Sequence, residues 1–486
     1  MTTTEKDPIA LVLEGQRFAF VAQGDCRKRL KELPDNSVDA VVTDPPAGIE
    51  FMGKDWDSFG KKAAHFSPKR SGRGLPRYGT WRPSATEEAI NEQRDTKLAF
   101  QNFIAEVFEE VYRVLKPGGH ALVWAIPRTA HHTTMGVERA GFEIRDVVHH
   151  LFGTGFPKSL DVSKVLDRMA GVERKVIGTS SDEAKKWSGW GTALKPAAEN
   201  WILARKPLIG TVAANVLEHG TGALNIDGCR VSTAENLNSG AYSGGTRNPV
   251  SGDDRSAAAA GMYGEGGRLS PEAFTPPAGR WPANFVLSHS DGCVQTGTKR
   301  VKASVDGKEE VETWDCVPEC AVRALDNQSG EVGNGWKRNY GDDDYKGKQY
   351  KGDSGGASRF FYVAKAPGAE KSAVMTCGCT PKLKIKDIPV ISMKEAKAQT
   401  GQPCPVCGET RLLHAHPTVK SISLMEWLVK LVTPPGGVVL VPFTGSGSTG
   451  VAARKLGFRF IGMEQDKVYC ALARHRVKNA VAEDET

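Results

Sequence analysis

No stretch of this 486-residue chain stays apolar for the roughly 20 residues that a membrane-spanning helix needs, so such a helix is not expected. The start, Met1 to Pro8, lacks the charged-then-apolar pattern of a secretory leader, and a cytoplasmic location is the expectation. Internal repeats are absent, which sets aside solenoids and propellers. A lopsided charge is missing as well: 64 Lys and Arg against 57 Asp and Glu leave a formal +7. That excess suits a polyanionic partner without demanding one. Cysteine is not scarce, at ten residues, but in a cytosolic chain metal binding or core packing is expected before disulfides.

What is present divides into three zones. From about Arg17 to Leu166 strand-like and helix-like patterns alternate. Phe18 to Ala22 and Val38 to Thr43 read as strands, Cys26 to Leu33 as a short helix. Phe100, Phe103, Ile104, Val107, Val111 and Leu115 recur at helical spacing, and Lys116-Pro117-Gly118-Gly119 reads as the turn that ends the helix. His120 to Ile126 is a further strand. From about Ala170 to Gly355 the chain turns rich in Gly, Ser, Asn and Asp, as in Asn238 to Gly245 and Gly261 to Gly267, and reads as a loop-rich insertion. From Ser358 to His475 the α/β character returns. One sheet built from both ends of the chain, with the middle zone projecting from it, is the expected architecture. Expected boundaries are 1–169, 170–355 and 356–486.

Val438 to Phe443 reads as a strand that runs into Thr444-Gly445-Ser446-Gly447-Ser448-Thr449-Gly450, a glycine loop opening a helix. Glycines let the backbone approach a ligand closely, and the free N–H groups at a helix start favour an anion. Glu464 closes the next strand, Phe458 to Met463, where a carboxylate can accept from ribose hydroxyls. The loop therefore reads as a nucleoside-cofactor site. Gly445, Gly447 and Gly450 also fit the dinucleotide pattern GxGxxG, so the loop alone leaves NAD and S-adenosylmethionine both open.

At the other end of the chain, Asp44-Pro45-Pro46 follows the apolar strand Val38 to Thr43. A carboxylate at the C-terminal mouth of a buried strand lies where open α/β sheets bind ligands. Two prolines stiffen that loop and remove two N–H donors, leaving acceptors on a rigid support. Such acceptors suit an exocyclic amino group on adenine or cytosine, a poor nucleophile because its lone pair is delocalised into the ring. Accepting its hydrogens favours a more tetrahedral nitrogen and steadies its developing positive charge.

Together these motifs resemble the amino-methylating DNA methyltransferases of the permuted, β-type order, in which Asp-Pro-Pro precedes the cofactor loop; phage and prophage members look most similar. The resemblance covers most of the chain outside the middle zone and implies a Rossmann-like, S-adenosylmethionine-dependent fold. It implies Asp44, Pro45 and Pro46 at the reaction centre. Asp25, in Gly24-Asp25, would contact the cofactor's adenine. Thr418 and Lys420, in His416-Pro417-Thr418-Val419-Lys420, would touch its methionine end, and Phe443, Gly445, Gly447 and Glu464 would complete the pocket. Double-stranded DNA is the implied partner, with the target base flipped out, and a homodimer is compatible. Asp-Pro-Pro points to adenine N6; cytosine N4 stays open, as does a DNA-binding protein of this fold with weakened catalysis. The sequence departs from the family at Ala47, where an aromatic residue usually stacks on the base, so Phe51 or Trp56 would have to supply the ring. It departs again at Val441, where an acidic residue commonly precedes Pro-Phe.

Cys377-x-Cys379 and Cys404-x-x-Cys407 have the spacing of two thiolate knuckles, and four thiolates suit tetrahedral zinc; a small zinc knuckle over 375–410 is expected. Cys293, Cys316 and Cys320 lack an obvious fourth ligand and read as packing. Backbone anchoring of DNA is expected from basic stretches such as Lys61 to Arg82 and Lys382 to Lys386. The middle zone is the expected seat of target recognition; within it Trp187 to Ala197 and Gly220 to Arg230 look like family features, to which the resemblance assigns no role.

Overall fold

A computed structural model describes residues 7–49, 57–59, 87–153, 155, 159–172, 181–233, 279–302, 308–330, 356–365, 372–377, 379–380, 383–414, 416 and 419–480. Phe51, Trp56, Thr418, the stretch Lys61 to Arg82, Lys382, and the glycine-rich runs Asn238 to Gly245 and Gly261 to Gly267 lie outside them.

Fourteen strands are described: β1 (Ala19–Gln23), β2 (Val38–Thr43), β3 (Leu115–Ala125), β4 (Glu143–Leu151), β5 (Ala198–Arg205), β6 (Phe285–Ser288), β7 (Val294–Lys302), β8 (Lys308–Asp315), β9 (Tyr362–Ala364), β10 (Ser372–Thr376), β11 (Val390–Ser392), β12 (Leu412–His414), β13 (Val438–Val441) and β14 (Arg459–Glu464). Nine of them form one sheet in the order β1-β14-β13-β2-β3-β5-β4-β6-β9. Every neighbouring pair is parallel except those of β5, which runs antiparallel to β3 and β4. Eight strands therefore end on one edge of the sheet, and β5 starts there.

The sheet is covered on both faces, which explains why its central strands read as unbroken apolar runs. Successive residues of β13 alternate between two cores: Val439 and Val441 pack with the helices Ile422–Val432 and Ser448–Lys455, Val438 and Leu440 with the helix Glu87–Val114 on the other face. β2 is buried along its whole length. Its charged member, Asp39, accepts from the Val438 N–H at 2.7 Å and from the Lys116 ammonium at 2.6 Å. A buried charge is thereby paired and used to pin β2 to β13.

The sequence pattern located most of these elements. The helix expected at Phe100 to Leu115 is present and begins earlier, at Glu87. The turn expected at Lys116 to Gly119 is taken up into β3 as an irregularity in its pairing with β2. Gly118 has φ +75° and donates its N–H to the Lys206 carbonyl, so this bend is tied to the segment that follows β5. The larger difference concerns the zone 170–355, which does not simply project: it contributes β5 and β6 to the main sheet. The β5 run Trp201-Ile202-Leu203-Ala204 is apolar and buried on both sides, a central-strand pattern that the surrounding polar loops obscured. Outside the main sheet, β7 and β8 form a separate hairpin, and β10, β11 and β12 form a small sheet. Among the described residues no helix is long and apolar enough to cross a membrane.

Candidate functional site

A cleft of about 1660 Å3 opens on the edge where β1, β14, β13, β2 and β3 end. It is lined by Asp25, Asp44, Pro45, Pro46, Ala47, Lys420, Phe443, Gly445 and Glu464, so residues quoted from both ends of the chain meet in one cavity. The reason is topological: β13, which leads into the glycine loop, lies beside β2, which leads into Asp44.

The glycine loop is built as its sequence requires. Gly445 and Gly447 have φ of +54° and +81°, a region that side-chain-bearing residues avoid. A Cβ on Gly445 would come within 2.9 Å of the His416 ring, and one on Gly450 within 2.7 Å of Phe460 and Val477. The first glycine keeps the loop close to the cavity wall; the last lets the following helix settle on β14. Gly447 itself lies away from the open cavity, with Ala473 3.0 Å from its would-be Cβ. Glu464 is held by the Gly445 N–H on one oxygen and the Asp466 N–H on the other, each at 2.8 Å. Burial pushes its carboxyl up to about 7 despite these two donors.

Asp25 caps the short helix Cys26–Arg29 by accepting from the Arg27 N–H, and both its oxygens also receive the Arg27 guanidinium. That pairing holds the carboxyl below the usual carboxylate range. Arg27 extends over the Phe103 ring, which with Phe59 and Phe443 forms an aromatic wall of the cleft.

At the β2 end, Asp44 is half-buried, and burial raises its pKa to about 6. Lys420 opposes the shift, its ammonium 3.5 Å from the Asp44 carboxylate. The same ammonium lies 3.2 Å from Glu199 at the start of β5 and 4.0 Å above the Trp124 ring. Glu199 is closely enclosed, which alone would favour its neutral form, but Lys420 and His150 outweigh that and hold it well below the usual range. His150 is 3.5 Å from Glu199 through Nδ1, while its Nε2 meets the Ser288 hydroxyl at 2.7 Å. A buried polar line thus runs Asp44–Lys420–Glu199–His150–Ser288 across β2, β5, β4 and β6. Sequence reasoning found Asp44 and Lys420 and missed Glu199 and His150. Their signal is faint: a glutamate beginning an apolar strand and a histidine pair ending another.

Pro45, Pro46 and Ala47 follow Asp44 around the cleft wall. The Ala47 carbonyl accepts from the Thr129 hydroxyl at 2.7 Å, and the next two N–H groups, of Gly48 and Ile49, donate to the Asp57 carboxylate. The loop after Asp-Pro-Pro is therefore closed on itself, with Ala47 adding no ring. Among the described residues, Trp124 and Phe152 are the aromatics that line this side of the cleft. Ala193 to Ala197, part of the Trp187 to Ala197 stretch singled out in the sequence, line it too, and Leu194 is 92% exposed.

Two cysteine clusters lie away from the cleft. The ligand atoms of Cys377, Cys379, Cys404 and Cys407 all fall within 4.8 Å of one another, with the Cys377 and Cys404 sulfurs 3.5 Å apart. This is the expected knuckle geometry, and the donor set suits zinc. It stands at the turns of the small sheet, whose Val374 packs against Ala471 and Leu472 of the helix Lys467–Asn479. Cys293, Cys316 and Cys320, read from the sequence as packing, converge instead with His289.

A family model described as DNA methylase, for the N6/N4 group, matches residues 295–475. The chain is 46% identical over 71 residues to the Type II methyltransferase M2.DpnII of Streptococcus pneumoniae, covering 15% of this chain and 25% of that protein. It is 26% identical over 209 residues to the Type II methyltransferase M.HindIII of Haemophilus influenzae, covering 40% of this chain and 61% of that one. The chain thus spans less than two thirds of either relative. Among solved structures, the PvuII DNA methyltransferase (cytosine-N4-specific) aligns over 96% of this chain and 90% of its own at 11% identity and a TM-score of 0.37. The M1.HpyAVI–SAM complex aligns over 94% and 98% at 12% identity and a TM-score of 0.32. The sequence relationship is to the N6/N4 DNA methylases; the geometry of the site rests on this chain's own topology.

Proposed function

We propose that this chain is an S-adenosylmethionine-dependent DNA methyltransferase that methylates the exocyclic N6 amino group of adenine. The observation that carries the reading is the meeting of Asp44-Pro45-Pro46 with the Gly445 loop and Glu464 in one cleft. The DNA methylase model over 295–475 and the two Type II methyltransferase relatives support it, and that kinship suggests a restriction–modification setting. Asp44 before Gly445 is the motif order of the permuted, β-type class.

The cleft suits the methyl donor. Glu464 sits where a carboxylate takes ribose hydroxyls, and Gly445 leaves its backbone bare toward the cavity. Asp25, Arg27 and the Phe103–Phe443 wall enclose the adenine end. S-adenosylmethionine, when bound, supplies an electrophilic sulfonium methyl. The chain's own residues prepare the nucleophile. The Asp44 carboxylate and the Pro45 carbonyl accept the two amino hydrogens, drawing the nitrogen lone pair out of the ring. Lys420 keeps Asp44 ionised near neutral pH and is itself balanced by Glu199. No covalent intermediate is required. Phe152 offers a ring to a flipped base where Ala47 cannot, and Phe51 and Trp56 are candidates for the same task. The exposed Leu194 and Lys195 at the rim belong to the proposed target-recognition region of 170–355. Cys377, Cys379, Cys404 and Cys407 would hold a structural zinc.

Unmethylated DNA incubated with the protein and S-adenosylmethionine, then digested and analysed by nucleoside mass spectrometry, is expected to contain N6-methyladenine. N4-methylcytosine would keep the chemistry and change the base, because both amino groups pose the same acceptor problem. Methyl-free DNA together with measurable donor binding would overturn the enzymatic reading in favour of a DNA-binding protein of this fold.

A further inference from the structure

We propose that His289, Cys293, Cys316 and Cys320 form a second structural zinc site, separate from the four-cysteine knuckle, which clamps the root of the β7–β8 hairpin. The four ligand atoms lie within 4.8 Å of one another. His289 Nδ1 is 3.4 Å from the Cys316 sulfur and 3.6 Å from the Cys320 sulfur. Tetrahedral zinc with ordinary Zn–S and Zn–N bonds sets its ligand atoms about 3.5–3.8 Å apart, close to the two His289–sulfur separations. Three thiols and one imidazole are a common structural zinc set.

The local backbone is arranged for the same purpose. His289-x3-Cys293 and Cys316-x3-Cys320 are two tight turns of equal spacing, closed by Cys293 N–H to Ser290 carbonyl and Cys320 N–H to Val317 carbonyl bonds, each 3.1 Å. One turn leads into β7 and the other follows β8, so the ligands flank both ends of the hairpin. Gly292, with φ +95°, lets the first turn bend. Cys320 is fully buried and stands at the N-cap of the helix Ala321–Ser329, with no side-chain cap bond of its own. His289 is fixed from two sides, by its backbone N–H donated to the Ala364 carbonyl of β9 and by its ring stacking on Trp314 at 4.0 Å.

The hairpin also has a physical need for a clamp. β7 and β8 pair only with each other among the described strands, and a lone two-stranded hairpin is marginal in water. Among the described residues, the buried members of the core beneath it are Leu287, Cys320 and Val322. A metal at the root would offset that thin core and fix the end of β6. There Ser288, the neighbour of His289, closes the polar line that leads through His150, Glu199 and Lys420 to Asp44.

The test is zinc counting on the full chain purified from zinc-supplemented medium. Inductively coupled plasma mass spectrometry is expected to find two zinc ions per chain, falling to one in Cys316→Ser and to one in Cys404→Ser. Zinc-edge X-ray absorption on the unaltered protein covers the case where a variant does not fold. It is expected to show a mixed shell averaging about 3.5 sulfurs and 0.5 nitrogens per zinc, from one four-sulfur site and one three-sulfur, one-nitrogen site. A single zinc per chain that Cys316→Ser retains, or a shell of four sulfurs with no nitrogen, would overturn the proposal.

Discussion

At the scale of single residues, the site is a problem in shared charge. Lys420 sits between Asp44 and Glu199, and Asp44 accepts its amino hydrogen best in the ionised form. With its pKa raised to about 6, the single-turnover rate should fall as pH drops through about 6 and level off above it. The neighbours should move that midpoint in opposite directions. Lys420→Met removes a charge that lowers the Asp44 pKa, so the midpoint should rise; Glu199→Gln removes one that raises it, so the midpoint should fall. Midpoints that stay put in both variants would remove Lys420 and Glu199 from the account. Glu464 titrates separately. Because burial lifts it to about 7 and its ionised form is the better acceptor for ribose hydroxyls, donor affinity measured by calorimetry should strengthen as pH rises through about 7.

Elements place these residues, and here the sequence was legible to different depths. Strand β2 and the β13-loop-helix unit could be read because their apolar runs, prolines and glycines each have a local cause. Glu199 and His150 could not, because their role arises only when β5 and β4 are laid beside β3, a long-range pairing that no local pattern encodes. Ala47 showed what was missing from the loop but not what replaces it. His289 escaped because one histidine beside three cysteines becomes a ligand only when both ends of a hairpin meet. Gly450 makes the element-scale prediction. Its would-be Cβ meets Phe460 and Val477 at 2.7 Å, so Gly450→Val should cost about 1–3 kcal/mol in denaturant unfolding through overpacking. It should also weaken donor binding by tilting the helix that follows the loop. A variant as stable as the parent would show that the helix does not depend on that contact. The knuckle acts on a neighbouring helix: it packs on Ala471 and Leu472, two and three residues beyond Tyr469 in the cleft wall. Cys404→Ser should therefore lower donor affinity severalfold along with zinc content. Donor affinity unchanged by zinc loss would leave the knuckle a role in stability alone.

The whole molecule brings two distant stretches of sequence to one edge of a sheet. A net charge of +7 is modest for a DNA partner, so local rather than global charge must anchor the backbone. Lys195, at the cleft rim and exposed, is a suitable anchor. Lys195→Ala should weaken DNA binding evenly across sequences and reduce the salt slope of log K by about one. A loss confined to one target sequence would instead assign Lys195 to base reading.

The central claim is that Asp44 activates an amino group for methyl transfer. Its most direct test is single-turnover transfer of a labelled methyl group to unmethylated DNA by Asp44→Asn beside the unaltered protein, with donor and DNA binding measured in parallel. A loss of about 100-fold or more in rate, with both affinities kept, is the predicted result. Transfer at the parental rate by Asp44→Asn would contradict it.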